Sequence, residues 1–95
     1  MMKYIVTYDI SNDKRRTKVS DLLEAYGVRV NYSVFEIELN ETKRNQLLYE
    51  IELKKLINKK YDSLRFYHVC ENCLLKSFEV ANREDPFEQI HCELF

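Results

Sequence analysis

Glycine and proline occur once each, and tryptophan not at all. So little glycine and proline excludes a loop-rich or disordered chain, because those residues punctuate turns and linkers. No apolar run approaches the ~20 residues that a membrane-crossing helix needs. The opening segment MMKYIVTYDI lacks the longer apolar core and small-residue cleavage site of a secretory leader, and reads as a strand that stops at Asp9. An excess of one charge is missing too. Fifteen Lys and Arg against 16 Asp and Glu leave a net charge of −1, so any contact with nucleic acid must rest on a local patch. Three cysteines, an odd number without a secretion signal, point to reduced thiols in the cytoplasm. What is present is 95 residues, 45 % apolar and 33 % charged, which suits one globular domain over 1–95. A domain so short buries only about 60–65 % of its unfolded surface, so pairing with a second copy would stabilise it.

Residues 3–10 are rich in β-branched and aromatic side chains and form a first strand. Ile5 and Val6 are neighbours, so both faces of this strand are apolar, and it is expected to be central and covered on both sides. Ser11, Asn12 and Asp13 are good caps for a helix over 13–26, whose apolar stripe is Val19, Leu22, Leu23 and Tyr26. Gly27 follows where a left-handed C-cap is expected. In 28–39, Val28, Val30, Tyr32 and Val34 alternate, and then the phase slips to Phe35, Ile37 and Leu39. A regular strand cannot change phase, so a bulge or break is expected near Val34–Phe35, in one bent strand or two short ones. Asn40 can cap a second helix over 41–59. Leu47, Leu48 and Ile51 lie on one side of it, and Tyr49, Leu53, Leu56 and Ile57 nearly opposite. A wide buried face is the expectation, with a core face and a partner face as the alternative. A strand over 63–69, a turn at Cys70–Cys73, a short final strand over 76–80 and an acidic tail over 82–95 complete the chain. The order β-α-β(β)-α-β-β suggests an α+β, ferredoxin-like sandwich with two helices on one face of an antiparallel sheet. The other sheet face would be bare unless a second copy covers it, giving a homodimer.

Some residues carry candidate chemistry. Asp9 ends the first strand, where a carboxylate is exposed yet rigidly held and can serve as a hard oxygen ligand for Mg²⁺ or Mn²⁺. Taken alone it reads as a turn or cap residue. No other carboxylate in the chain is obviously its partner, though a symmetric dimer would supply a second Asp9. Arg15, Arg16 and Lys18 open the first helix against its dipole, and with Arg29 they make either a phosphate patch or a solvated basic face. Ser33 and Phe35 flank the phase slip. They are a bulge residue and a core aromatic, or else a phosphate-binding hydroxyl and a ring for stacking. Cys70-x-x-Cys73, with His68, His91 and Cys92 elsewhere, reads as a packed turn ahead of a zinc or redox site.

Taken together, YDI at 8–10, RR-T-KV at 15–19 and LL-x-x-YG-V-R-V-N-Y-SVFE at 22–36 closely resemble the CRISPR-associated endoribonuclease family, the small proteins that partner the spacer integrase in CRISPR adaptation. RFYHVCENC fits the family's closing strand and turn, and the likeness spans roughly 3–80. The resemblance implies a ferredoxin-like homodimer with sheets packed face to face and a final strand added to the partner's sheet. It implies that Asp9 is the metal-binding, catalytic aspartate, sharing one Mg²⁺ (or Mn²⁺) with its twofold mate. It assigns Arg16, Lys18 and Arg29 to backbone phosphates, and places Ser33 and Phe35 near the active centre. Asn31 stands where the family more often has Gln, and the acidic tail has no clear family pattern. The expectation is therefore a metal-dependent endonuclease acting on RNA or DNA beside the integrase. The alternative is a non-catalytic bridge that binds duplex DNA between integrase units. A general ferredoxin-like RNA-binding module is the weaker reading, for want of a solvent-facing aromatic stripe.

Overall fold

The computed structural model describes residues 1–81 and 86–87. The acidic tail apart from 86–87, with His91 and Cys92, lies outside the described residues. The elements are β1 (Met2–Asp9), α1 (Asp13–Glu24), β2 (Gly27–Asn31), β3 (Val34–Leu39), α2 (Glu41–Leu53), β4 (Ser63–Val69) and α3 (Glu71–Leu75). The four strands form one antiparallel sheet in the order β2-β3-β1-β4. β1 is central, as its composition predicts. Tyr4, Val6 and Tyr8 point to the helix side, where Val19 and Leu23 of α1 and Leu47 and Ile51 of α2 join Phe35, Ile37 and Leu39 in one core. This is the expected α+β, ferredoxin-like sandwich. Each fully buried Leu, Val or Phe contributes roughly 1.5–3 kcal/mol relative to exposure. Asn12 and Asn40 cap the two helices, their side chains accepting from the amides of Arg15 and Lys43. No helix among the described residues is long and apolar enough to cross a membrane.

Among the described residues, no helix or strand covers the second sheet face. Lys3, Ile5 and Thr7 of β1 are half-buried there, beside Glu36 and Tyr67, the cross-strand neighbours of Ile5. The described residues thus pack a helix layer on one side of β1 only. Phe87 approaches one margin of this face, its amide donating to Glu36 Oε1 at 2.8 Å.

The structure corrects several local expectations. Residues 28–39, where the phase slip predicts a break near Val34–Phe35, are two short strands joined at Tyr32–Ser33, directly before Val34. A register shift between Arg29 and Asn31 adds the irregularity that the slipped alternation required. α2 stops at Leu53 and not at 59. Lys55 takes a φ of 50° and turns the chain, so that Leu56 enters the core from the loop. Leu48, Tyr49 and Leu53 are left exposed, which removes the wide buried face. Cys70–Cys73 leads into the short helix α3, anchored by buried Leu74. Residues 76–80 are not a strand. Ser77 instead bonds back to the carbonyls of Cys73 and Leu74, which closes the turn after α3.

α1 ends at Glu24, and Gly27 is not its left-handed cap: Ala25 caps it, and no glycine has positive φ. Gly27 pairs with Ile37, and a Cβ there would collide with Glu36 O and Ile37 Cγ2 and lie 2.8 Å from Ile37 Cα. Glycine is required by this close approach. Gly27→Ala is expected to destabilise the fold by about 1–3 kcal/mol through overpacking, measured by urea denaturation; unchanged stability would mean that the strands can part without cost.

Candidate functional site

Asp9 is the last residue of β1, exposed, and opposite Ser63 of β4. It shares the open sheet face with Lys3, Ile5 and Thr7, because side chains alternate along a strand. Its neighbours hold it from both sides. The amide of Tyr8 donates to Ser33 O at 3.1 Å, and the Tyr8 hydroxyl donates to Tyr32 O at 3.1 Å, which pins the β2–β3 turn beside the end of β1. On the other side, Arg16 Nε and Nη2 donate to Ile10 O at 3.2 and 3.0 Å.

The chain after Asp9 is fixed by a residue that the sequence pattern did not single out. Asp62, in the loop before β4, has a fully covered side chain. Its Oδ1 accepts from the amide and hydroxyl of Ser11, both at 3.0 Å. Its Oδ2 accepts from Arg15 Nη2 at 2.8 Å, Arg15 Nε at 3.2 Å and the Asn58 amide at 2.8 Å. Burial alone would raise the Asp62 carboxyl. The bonds from Asn58, Ser11 and Arg15 outweigh it and hold the group far below the usual carboxylate range. Arg15, expected in the basic patch, is thus tied to a carboxylate. Local pattern does not single out Asp62, because two of its three partners, Arg15 and Ser11, lie 47 and 51 residues away.

The remaining cations divide. Arg16, Ser20 and Glu24 form one row of α1 at spacings of four, and the Arg29 guanidinium reaches Ser20 Oγ and Glu24. Arg29 therefore joins the row that Arg16 begins. Lys18 does not: it lies about 200° round the helix from Arg16, in a groove with Asp21, Lys54 and Leu56. Phe35 is fully buried, with the Arg29 guanidinium 5.4 Å from its ring centre, so its ring has no free face for a base. Of the two readings of Phe35, the structure agrees with the core aromatic and not with the ring for stacking. Ser33 is half-buried at the β2–β3 turn, and its carbonyl serves the fold.

No group of three His, Cys, Asp or Glu side chains that could hold a metal ion occurs among the described residues. Asp9 fits a divalent ion as a single hard oxygen donor, and a complete ligand set needs donors beyond those that the described residues bring to it, water included. Cys70 and Cys73 are exposed, and His68 packs 5.5 Å from the Tyr4 ring.

Comparison with known proteins gives a consistent result. The family model described as CRISPR associated protein Cas2 matches residues 2–77. A CRISPR-associated endoribonuclease Cas2 of Synechocystis sp. is 51 % identical over 67 residues, covering 70 % of this chain and 71 % of that one. The crystal structure of Streptococcus pyogenes Cas2 superposes with a TM-score of 0.69 at 30 % identity, over 84 % of this chain and all of that one. A chain of a partial Cas6-RT-Cas1–Cas2 complex matches with a TM-score of 0.71 at 31 % identity, over 95 % of this chain and 94 % of that one.

The Asp62 clamp has a definite pH signature. A carboxylate depressed on folding contributes stability that is fully present above its unfolded value of about 3.9 and is lost as pH falls towards its folded value. Asp62→Asn is expected to lower the melting temperature at pH 7 by more than Arg16→Ala does, and to flatten the loss of stability below about pH 4. Thermal melts of both variants from pH 7 to pH 2 check this. An Asp62→Asn curve parallel to wild type would remove the clamp from the acid transition.

Proposed function

The chain belongs to the CRISPR-associated Cas2 family, and from that membership we propose that it is a homodimeric, divalent-metal-dependent endonuclease of CRISPR adaptation. In this reading it hydrolyses phosphodiester bonds of RNA or DNA in the cytoplasm and acts beside the integrase. The observation that carries the reading is the placement of Asp9: exposed, on the open sheet face, at the end of a central strand whose continuation is clamped by Arg16 and Asp62. The endoribonuclease name of the Synechocystis relative supports the reaction class, and the solved complex of Cas1 with Cas2 supports the integrase partner.

A twofold pairing through the open face would bury Ile5 and bring two Asp9 carboxylates to one interface. The two would then share one Mg²⁺ (or Mn²⁺). A bound ion of this kind supplies Lewis-acid polarisation and a water of lowered pKa. Asp9 binds and orients, and its rigid strand end keeps the carboxylate oxygens in place. Arg16 of α1 and Arg29 of β2, whose guanidinium reaches the same row of α1, hold successive backbone phosphates, while Lys18 contacts the nucleic acid from the other side of the helix. Ser33 offers a hydroxyl at the neighbouring turn. As the family resemblance implies, the segment 76–80 would add to the partner's sheet edge.

A second reading is a non-catalytic bridge that binds duplex DNA between integrase units. It is favoured by the absence, among the described residues, of any group of three side chains that could hold a metal ion. One assay separates the two. With labelled RNA and duplex DNA, cleavage in Mg²⁺ or Mn²⁺ is expected to stop with EDTA. In Asp9→Ala it should fall by more than the about 10–100-fold that losing a mere supporting residue of a metal site costs. Equal cutting by wild type and variant, or none by either, would favour the bridge.

The dimer is tested separately. Ile5→Asp places a charge at the centre of the open face and is expected to give monomers by analytical ultracentrifugation, while Asp9→Ala remains dimeric. A dimeric Ile5→Asp protein would place the interface elsewhere.

A further inference from the structure

The pair Cys70 and Cys73 is not used by the reading above, and the structure brings the two thiols together. Cys70 caps α3 in an extended conformation, and its Sγ accepts the Cys73 amide at 3.4 Å. Both residues are exposed free thiols. A spacing of three on a helical turn sets the Cβ atoms about 5–6 Å apart, which a small adjustment brings to the span of a disulfide. The residues about them anchor the turn. Leu74 is buried, the carbonyl of Cys73 accepts from the Lys76 amide and the Ser77 hydroxyl, and Glu71 pairs with Lys3 of β1 at 3.8 Å. The pair thus stands on a fixed turn, open to solvent, where the chain leaves β4.

We propose that Cys70 and Cys73 form a reversible dithiol–disulfide couple that exchanges with low-molecular-weight disulfides, with Cys70 as the attacking and Cys73 as the resolving thiol. The Cys70 thiolate attacks one sulfur of the small disulfide and expels the other half as a thiolate, leaving a mixed disulfide. Cys73 then loses its proton, attacks the Cys70 sulfur and expels the second half. The protein dithiol is oxidised by two electrons, and the small disulfide is reduced to two thiols. The order of attack follows from the two environments. The bonds from the Cys73 side chain and amide lower the Cys70 thiol, and the same side-chain contact raises Cys73. In a reducing cytoplasm such a bond is transient and responsive, not structural.

The test uses the full chain and oxidised glutathione, with no nucleic acid or metal, so its outcome is independent of the nuclease reading. Wild type is expected to lose two hydrogens by intact mass, and peptide mapping should place the bond between Cys70 and Cys73. Cys73→Ser is expected to trap one glutathione on Cys70, and Cys70→Ser to acquire one on Cys73 more slowly. A chain that stays reduced, stops at a stable glutathione adduct or bonds through Cys92 would overturn the couple. Equal trapping rates in the two variants would overturn the assignment of Cys70 as the attacking thiol.

Discussion

A carboxylate without contact with water is costly unless both of its oxygens are partnered, and the arrangement about Asp9 depends on how Asp62 meets that demand. Five hydrogen bonds converge on it, from Ser11, Arg15 and Asn58. These partners belong to the loop that leaves β1, the first turn of α1 and the loop that enters β4. One group therefore sets where β1 ends and how α1 departs. Asp9 lies two residues before Ser11, and its position follows from this clamp together with the bonds from Tyr8 to the β2–β3 turn.

The sheet divides its work between its faces. On the helix side the alternation of β1 and β3 places Tyr4, Val6, Tyr8, Phe35, Ile37 and Leu39 against two helices. On the other side the same strands present Lys3, Ile5, Thr7, Glu36 and Glu38, with ion pairs from Lys3 to Glu38 and Glu71. This mixed face is too polar to be the inside of a core and too apolar at Ile5 to be indifferent to a partner. It is also the face that carries Asp9, so in the proposed dimer one surface would serve both association and chemistry.

The arginines show how a basic segment is shared between fold and function. Arg15 is committed to Asp62, and Arg16 spends two of its donors on Ile10 O while its outer nitrogen meets exposed Asp13. Arg29 rests on the Phe35 ring between Ser20 and Glu24. In the proposed nucleic-acid contact, Arg16 and Arg29 would meet a phosphate with little rotamer entropy left to lose. Their partner carboxylates Asp13 and Glu24 are more than half exposed, so those ion pairs are weak.

Local pattern determined much of this protein by itself. The alternation and β-branched content of 3–10, the asparagine caps at 12 and 40, the stripe through Val19 and Leu23, and the strand at 63–69 rest on contacts between residues a few positions apart, and a sequence displays these directly. The order and spacing of YDI, RR-T-KV and SVFE likewise marked the family and pointed to Asp9. Only the tertiary structure decided the rest. That Gly27 serves a close crossing and not a cap, that Phe35 lies beneath Arg29, that α2 turns at Lys55 to bury Leu56, and that Arg15 belongs to Asp62 are matters of which distant segments meet. The physical reason is the range of the interactions. Periodicity reports which side of an element is apolar, whereas the partner of a buried charge is chosen by packing across some fifty residues of chain, and no local pattern records that choice.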